Sequence, residues 1–169
     1  NHTRPSWGDY AQDSIPLFEQ KTIEGHAVRA TLFATGATAA ALENRSPEYI
    51  AAVSRLWDNM IGKRMFITGG VGAVHFDEKF GPDYFLPTDA YLETCAAVGA
   101  GFFSQRMNEL TGHAKYMDEL ERTLYNNVLT GISLSGTQYT YQNPLNSAKH
   151  ARWGWHDCPC CPPMFLKMM

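Results

Sequence analysis

The sequence has no uninterrupted apolar run near the ~18 residues that a membrane-spanning helix needs, and no run of lysine and arginine. Its 17 acidic and 14 basic residues leave a formal net charge of −3 over 169 residues. That balance offers no electrostatic footprint for a nucleic acid or an anionic membrane surface, so a small neutral or polar ligand suits the chain better. Cysteine is scarce as well. Four in the chain fall far below the density of a disulfide-stapled secreted domain. The lone Cys-x2-Cys, Cys158 to Cys161, has no second such pair and no His-x3–5-His after it, so the spacings of zinc ribbons and fingers are not met, and the adjacent Cys160 and Cys161 are not the Cys-x-x-Cys pair of a thiol redox protein. The opening Asn1-His2-Thr3-Arg4-Pro5 has no signal-peptide pattern, and the sequence assigns no compartment. What remains, with 44% apolar and 12% aromatic residues, is enough to bury a core as one domain, and disorder is not expected.

The few cysteines are placed unevenly. Three crowd together in Cys158-Pro159-Cys160-Cys161-Pro162-Pro163, and the fourth, Cys95, stands two residues after Glu93. Thiolates and a carboxylate are ligand types that Zn²⁺ accepts at about 2.0–2.3 Å, and the adjacent Cys160 and Cys161 could reach one ion if the prolines fix the turn. Read alone, Cys95 is equally a small buried residue on an Ala/Gly/Phe-rich segment. Cys158 acquires no role from its spacing.

Along the chain, apolar spacing predicts a helix rich in small residues over 22–43. A second helix is expected from Pro47 to Gly62, with Ser46 as N-cap. Residues 66–84 form a long loop loaded with glycine, aromatics and titratable groups, as functional loops often are. Gly69-Gly70-Val71-Gly72 within it follows a helix and lacks Lys-Ser/Thr, so a phosphate cradle is not expected. A third helix is predicted to open at Thr88-Asp89 and run to Leu110, and a fourth to span 115–130. Residues 136–144 alternate in the manner of a strand, as one arm of a short β-hairpin, and a last helix follows Pro162-Pro163. If Glu93 and Cys95 share a ligand, they must sit at an irregular first turn, because residues two apart do not share a helix face. The expected class is all-α, with consecutive antiparallel helices and long loops, in a bundle or part of a toroid. Both ends read as cut.

Two carboxylates, Glu78 and Glu93, flank this region, and paired carboxylates are the usual equipment of glycoside hydrolysis. A thiolate of low pKa offers a different nucleophile, leaving one glutamate as acid/base and the other as a ligand. Glu78, between Asp77 and Lys79, also reads as part of a solvated charge cluster. His26 in Gly25-His26-Ala27-Val28-Arg29-Ala30 is either a satisfied core group or a ligand contact. Arg29 could pair with a carboxylate or hold a loop, and Tyr141 and Trp155 are either core or sugar-stacking faces.

Taken in order, Gly25-His26-Ala27-Val28-Arg29-Ala30, Thr68-Gly69-Gly70-Val71-Gly72, Glu93-Thr94-Cys95-Ala96, Tyr141-x-Asn143-Pro144-Leu145 and Cys158-x-Cys160-Cys161-Pro162-Pro163 resemble glycoside hydrolase family 127, which includes the β-L-arabinofuranosidases. The resemblance implies a retaining glycosidase whose catalytic domain is an (α/α)6 barrel followed by β-sandwich domains. This chain would be the central part of that barrel, without the flanking helices and sandwiches, and inactive by itself. By matching motifs, Cys160 would be the nucleophile and Glu78 the general acid/base. Zn²⁺ would be bound by Glu93, Cys95, Cys160 and Cys161, and His26 and Tyr141 would fall in the sugar pocket. Phe76, Phe80 and Tyr84 would give Glu78 water-poor surroundings. Met164 follows Pro162-Pro163 where the family commonly has Asn, and the interval from Glu78 to Glu93 is one residue shorter than in the arabinofuranosidases. The sugar therefore stays open between an L-arabinofuranoside and other plant sugars, branched acidic pectin sugars included. A zinc-stabilised helical scaffold or carbohydrate-binding protein is the rival from another class.

Overall fold

The computed structural model describes residues 8–147 and 151–169. Five α-helices dominate: α1 Ala27–Asn44, α2 Pro47–Asn59, α3 Thr94–Thr111, α4 Lys115–Thr123 and α5 Cys161–Met168. Helix α3 is the hub, packing on α1, α4 and α5. Its contact with α1 is close because both faces are small. Ala27, Ala30, Thr31 and Ala34 of α1 are buried, as are Cys95 to Gly101 of α3. Trp57 on α2 donates its indole N–H to Ser104 Oγ on α3 at 3.1 Å, satisfying both groups inside the core. Among the described residues, no helix is long and apolar enough to cross a membrane.

Helix α1 starts five residues later than the spacing predicts. Gly25 adopts φ +80°, a conformation that ends any helix there, and a Cβ at this position would run into the Asp9 carbonyl. His26 then serves as N-cap, its Nδ1 accepting the Arg29 N–H at 3.3 Å. Ser46 does occupy the N-cap position of α2, but its side chain makes no capping hydrogen bond. Helix α2 runs on as a π-helical turn, Met60–Arg64. The loop that follows is anchored by Asp83, which accepts from Arg64 Nε at 2.8 Å, Lys63 Nζ at 2.9 Å and Asn59 Nδ2 at 3.0 Å.

Helix α3 also begins later than expected, at Thr94 rather than Thr88. The chain first makes a turn from Pro87 to Ala90, and Leu92 takes φ +46°, which no helix tolerates. Helix α4 ends at Thr123 and passes into a π-helical turn, Leu124–Val128, and a 3-10 turn, Leu129–Gly131, instead of one regular helix to residue 130. Residues 136–144 supply the expected hairpin arm: Tyr139 bridges Ile132 antiparallel, with the Ser133 N–H donating to the Gln138 carbonyl at 2.9 Å and the Thr140 N–H to the Gly131 carbonyl at 2.8 Å. Strand β1, Gln138–Tyr139, pairs antiparallel with β2, Trp153–Gly154, in the register Gln138↔Gly154 and Tyr139↔Trp153. Alternation foretold the strand but not β2, the further partner on its other edge. Helix α5 begins at Cys161, with both prolines in its first turn where no donor is lost.

Three apolar clusters result among the described residues, the smallest gathering Phe66, Ala73, Ala90 and Leu92. One lies among α1, α2 and α3, around Val53, Leu56, Met60, Phe103 and Met107. Another joins α3, β1 and α5 through Val98, Val128, Tyr139 and Phe165, and it contains Cys95 and Cys161. Burying each of its large side chains contributes about 1.5–3 kcal/mol, and this packing brings the two distant cysteine segments together.

Candidate active site

The N-terminal turn of α3 and the start of α5 meet at a cluster of sulfur. Glu93 is the N-cap residue of α3 in an extended conformation, φ −62° and ψ 135°, and Cys95 lies in the first turn. This is the irregular turn that a shared ligand requires. Glu93, Cys95, Cys160 and Cys161 place one donor atom each within 4.8 Å of one another. Cys95 Sγ is 3.3 Å from Cys161 Sγ, and Cys160 Sγ is 3.7 Å from Cys161 Sγ. All four cysteines are free thiols. Cys158, outside the quartet, brings its sulfur to 3.4 Å from Cys160, while its carbonyl accepts the Tyr139 hydroxyl at 2.5 Å.

The electrostatics fit a cation site. Glu93 is 3% exposed, and its Oε2 is buried with no hydrogen-bond partner. Burial, helped by the nearby charge of Glu78, pushes the Glu93 carboxyl up to about 7. Hydrogen bonds donated by the Cys161 and Cys95 thiols hold Cys160 well below the ordinary thiol range. The Cys95 and Cys161 thiols are pushed up, above all because they serve Cys160 as donors. A metal ion would supply the charge that the orphaned Glu93 oxygen lacks and release the remaining thiol protons, so these residues fit one.

Glu78 stands beside this cluster. It lies at the end of a 3-10 turn, Phe76–Glu78, and both Asp77 and Glu78 have positive φ, 59° and 50°. Backbone pairing of Val74 with Lys79, and of Phe80 N–H with the Gly25 carbonyl at 2.9 Å, fixes the turn against the start of α1. His26 Nε2 is 3.2 Å from Glu78 Oε2. Because His26 Nδ1 accepts the Arg29 amide, the proton of a neutral ring sits on Nε2 and is donated to Glu78. Glu78 Oε1 accepts from the Tyr91 hydroxyl at 2.6 Å and from the Tyr141 hydroxyl at 3.3 Å. His26, Glu78 and Glu93 again lie within 4.8 Å of one another by one atom each, so the two clusters share Glu93.

Every site residue expected from the sequence is therefore gathered here: His26, Glu78, Glu93, Cys95, Tyr141, Cys160 and Cys161. The surroundings of Glu78 differ from expectation. Phe76 and Tyr84 are 72% and 70% exposed, and only Phe80 is buried, so polar donors and not an aromatic cage hold the carboxylate. Nor is Glu78 a member of a free charge cluster, because Lys79 pairs with Asp77. Arg29 holds the preceding loop by lying 4.6 Å from the Tyr10 ring centroid. Trp155 is partly buried at the edge of the core, packed on Tyr139 and Phe165. The ring stacked on Tyr141 is Trp153, with centroids 4.9 Å apart. Gly70 and Gly72 of the glycine-rich run lie against Asn127 and Ala27, which is a packing role. Sequence reading missed Tyr91, His75 and Gln142. His75 packs edge-on to Tyr91 at 4.7 Å and lies 3.4 Å from Gln142 Nε2. Only the position of Tyr91, two residues before a ligand candidate, could have drawn notice to it.

The family model described as beta-L-arabinofuranosidase, GH127 catalytic domain, matches residues 2–169. The chain belongs to glycoside hydrolase family 127. It is 36% identical over 173 residues to the non-reducing end beta-L-arabinofuranosidase of Bifidobacterium longum subsp. longum, which covers 95% of this chain and 26% of that protein. A solved GH127 beta-L-arabinofuranosidase from Geobacillus stearothermophilus T6 superposes with a TM-score of 0.89 and 38% identity, over 98% of this chain and 29% of that one. A solved GH127 beta-arabinofuranosidase does so with 0.88 and 44%, over 93% and 25%. The chain thus spans about a quarter of the length of the family 127 members it matches.

Proposed function

We propose that this chain carries the catalytic centre of a retaining glycoside hydrolase acting on non-reducing terminal β-L-arabinofuranosides or related plant cell-wall sugars. Its helices would be the central part of an (α/α)6 barrel. The observation that carries the reading is the placement of Glu78, a carboxylate outside the sulfur quartet yet with an oxygen within 4.8 Å of Glu93, a member of that quartet. A metal site that only braces a fold has no use for such a group.

In this reading Glu93, Cys95, Cys160 and Cys161 hold Zn²⁺, whose preference for sulfur and four-coordination matches three thiolates and one carboxylate. When bound, zinc keeps the thiolates deprotonated at neutral pH. Cys160, half-buried where Cys95 and Cys161 are buried, is the sulfur open to a substrate. Its thiolate forms an S–C1 bond while the C1–O bond breaks with its electron pair passing to the leaving oxygen, and Glu78 donates its proton to that oxygen. Glu78 then takes a proton from water, whose oxygen bonds to C1 as the electron pair of the S–C1 bond returns to sulfur. His26 and Tyr141 orient sugar hydroxyls.

The test uses the full-length protein: zinc content, and hydrolysis of aryl L-arabinofuranosides and of related glycosides that include branched acidic pectin sugars, for wild type, Glu78→Gln and Cys160→Ser. Stoichiometric zinc in wild type and Glu78→Gln, with hydrolysis lost in both variants, is the expected result. Zinc without hydrolysis of any glycoside would instead mark a metal-braced scaffold, and a folded protein free of zinc would remove the thiolate chemistry.

A further inference from the structure

The two oxygens of Glu78 are not equivalent, and the residue that makes them so is one the catalytic reading does not use. Tyr91 is 6% exposed, and its hydroxyl donates to Oε1 at 2.6 Å, the shortest hydrogen bond the carboxylate makes. Its ring is fixed edge-on by His75 and Tyr141, and its backbone N–H by the Ala73 carbonyl at 3.1 Å. Tyr141 adds a second, longer donor to the same Oε1, and His26 Nε2 gives a single donor to Oε2. A neutral carboxylic acid has a carbonyl oxygen with two lone pairs and a hydroxyl oxygen that carries the proton. With the proton on Oε2, Oε1 accepts both phenols, Oε2 still accepts from His26, and the acidic O–H is free to point at a substrate. With the proton on Oε1, two phenol donors would compete there with the new hydrogen. Only the first arrangement satisfies every donor.

We propose that Tyr91 is a positioning residue that makes Oε2 the oxygen through which Glu78 donates and recovers its proton. This rests on the reading of Glu78 as acid/base. In the first step the Oε2–H bond breaks, its proton passing to the glycosidic oxygen as that oxygen takes the electron pair of the C1–O bond. In the second, Oε2 takes a proton from the attacking water. Tyr91 touches neither sugar nor sulfur. It acts by fixing the rotation of the carboxyl group about its last torsion, a broad two-fold well that would otherwise permit either oxygen to face the substrate.

The discriminating quantity is the dependence of kcat/KM on the leaving group. A nitrophenolate departs with little proton donation, whereas an alkyl or sugar alkoxide requires it. The experiment compares nitrophenyl and alkyl L-arabinofuranosides, or the glycoside pair that the wild-type enzyme accepts, using the full-length zinc-loaded protein. Wild type is set beside Tyr91→Phe, which retains the packed ring, and Glu78→Gln. For Tyr91→Phe, kcat/KM on the alkyl glycoside is expected to fall about 10- to 100-fold, the range that one hydrogen bond to a charged group supports, with less than about 3-fold change on the nitrophenyl glycoside and unchanged zinc content. Equal losses on both substrates would assign Tyr91 to binding or folding, and no loss on either would leave it without a role; each overturns the proposal. If Glu78→Gln itself shows no preference for the good leaving group, the acid/base reading falls, whatever Tyr91→Phe does.

Discussion

Helix α3 approaches α1 as closely as it does because position 99 has no side chain, and replacing Gly99 by Ala tests that contact. A Cβ on Gly99 would lie 3.0 Å from Thr31 Cβ and closer still to Thr31 Oγ1. Thr31 cannot turn away cheaply. It is fully buried, and its Oγ1 donates to the Ala27 and Val28 carbonyls at 2.9 Å each. Overpacking of this kind costs about 1–3 kcal/mol. Against it, Ala gains about 1 kcal/mol over Gly as a helix former. Gly99→Ala should therefore destabilise the protein by up to about 2 kcal/mol, although its isolated effect on a helix is favourable. Removing the obstacle should restore the gain: in the double variant with Thr31→Ala, the two changes should be non-additive by about 1 kcal/mol or more. Urea unfolding of the full-length protein, followed by tryptophan fluorescence, measures all four corners of the cycle. Additivity, or a Gly99→Ala protein more stable than wild type, would refute the claim that a methyl-free surface sets the α1–α3 distance and, with it, the spacing of His26 from Cys95.

Asp83→Asn should destabilise by about 3 kcal/mol in equilibrium unfolding, because Arg64, 5% exposed, would keep its charge in a buried place with its principal partner neutralised. The hydrogen bonds from Lys63, Asn59 and Arg64 hold the Asp83 carboxyl well below the usual range, so its contribution is present above the ordinary carboxylate pKa and is lost as pH falls below it. In metal-free protein the sign is opposite at Glu93. Burial raises its folded pKa to about 7 from the ordinary 4.5, so the stability it contributes is full below pH 4.5 and is lost as pH rises through 7. Thermal melts of chelator-treated protein between about pH 5 and 8 should show that fall, and saturating zinc should abolish or reverse it; a metal-free protein more stable at the alkaline end than at the acid end would contradict the assigned burial. Glu93→Gln should weaken zinc binding by at least about tenfold in a competition titration with a chromophoric chelator, since it removes the one ligand charge that has no other partner.

Much of this architecture is legible in the sequence alone. The phase of apolar residues from Ile50 to Ile61, with Pro47 at the first turn, marks α2 because a 3.6-residue period and a missing amide donor are local properties. The five motifs in order carry the family and the seven candidate site residues, since residue type and order do not depend on folding. Helix starts are less legible. Propensity alone extends α1 back to 22 and α3 back to 88, whereas the positive φ of Gly25 and Leu92 comes from the contacts of the loops around them. The partner of β1 is hidden for a similar reason, because alternation identifies a strand and not the segment it pairs with. Tertiary structure alone brings Cys95 to Cys161 across 66 positions and His26 to Glu78 across 52. It alone places two tyrosines on one oxygen of Glu78 and a histidine on the other. Such contacts depend on how helices of small residues pack, a property of pairs of surfaces that no single stretch of sequence contains.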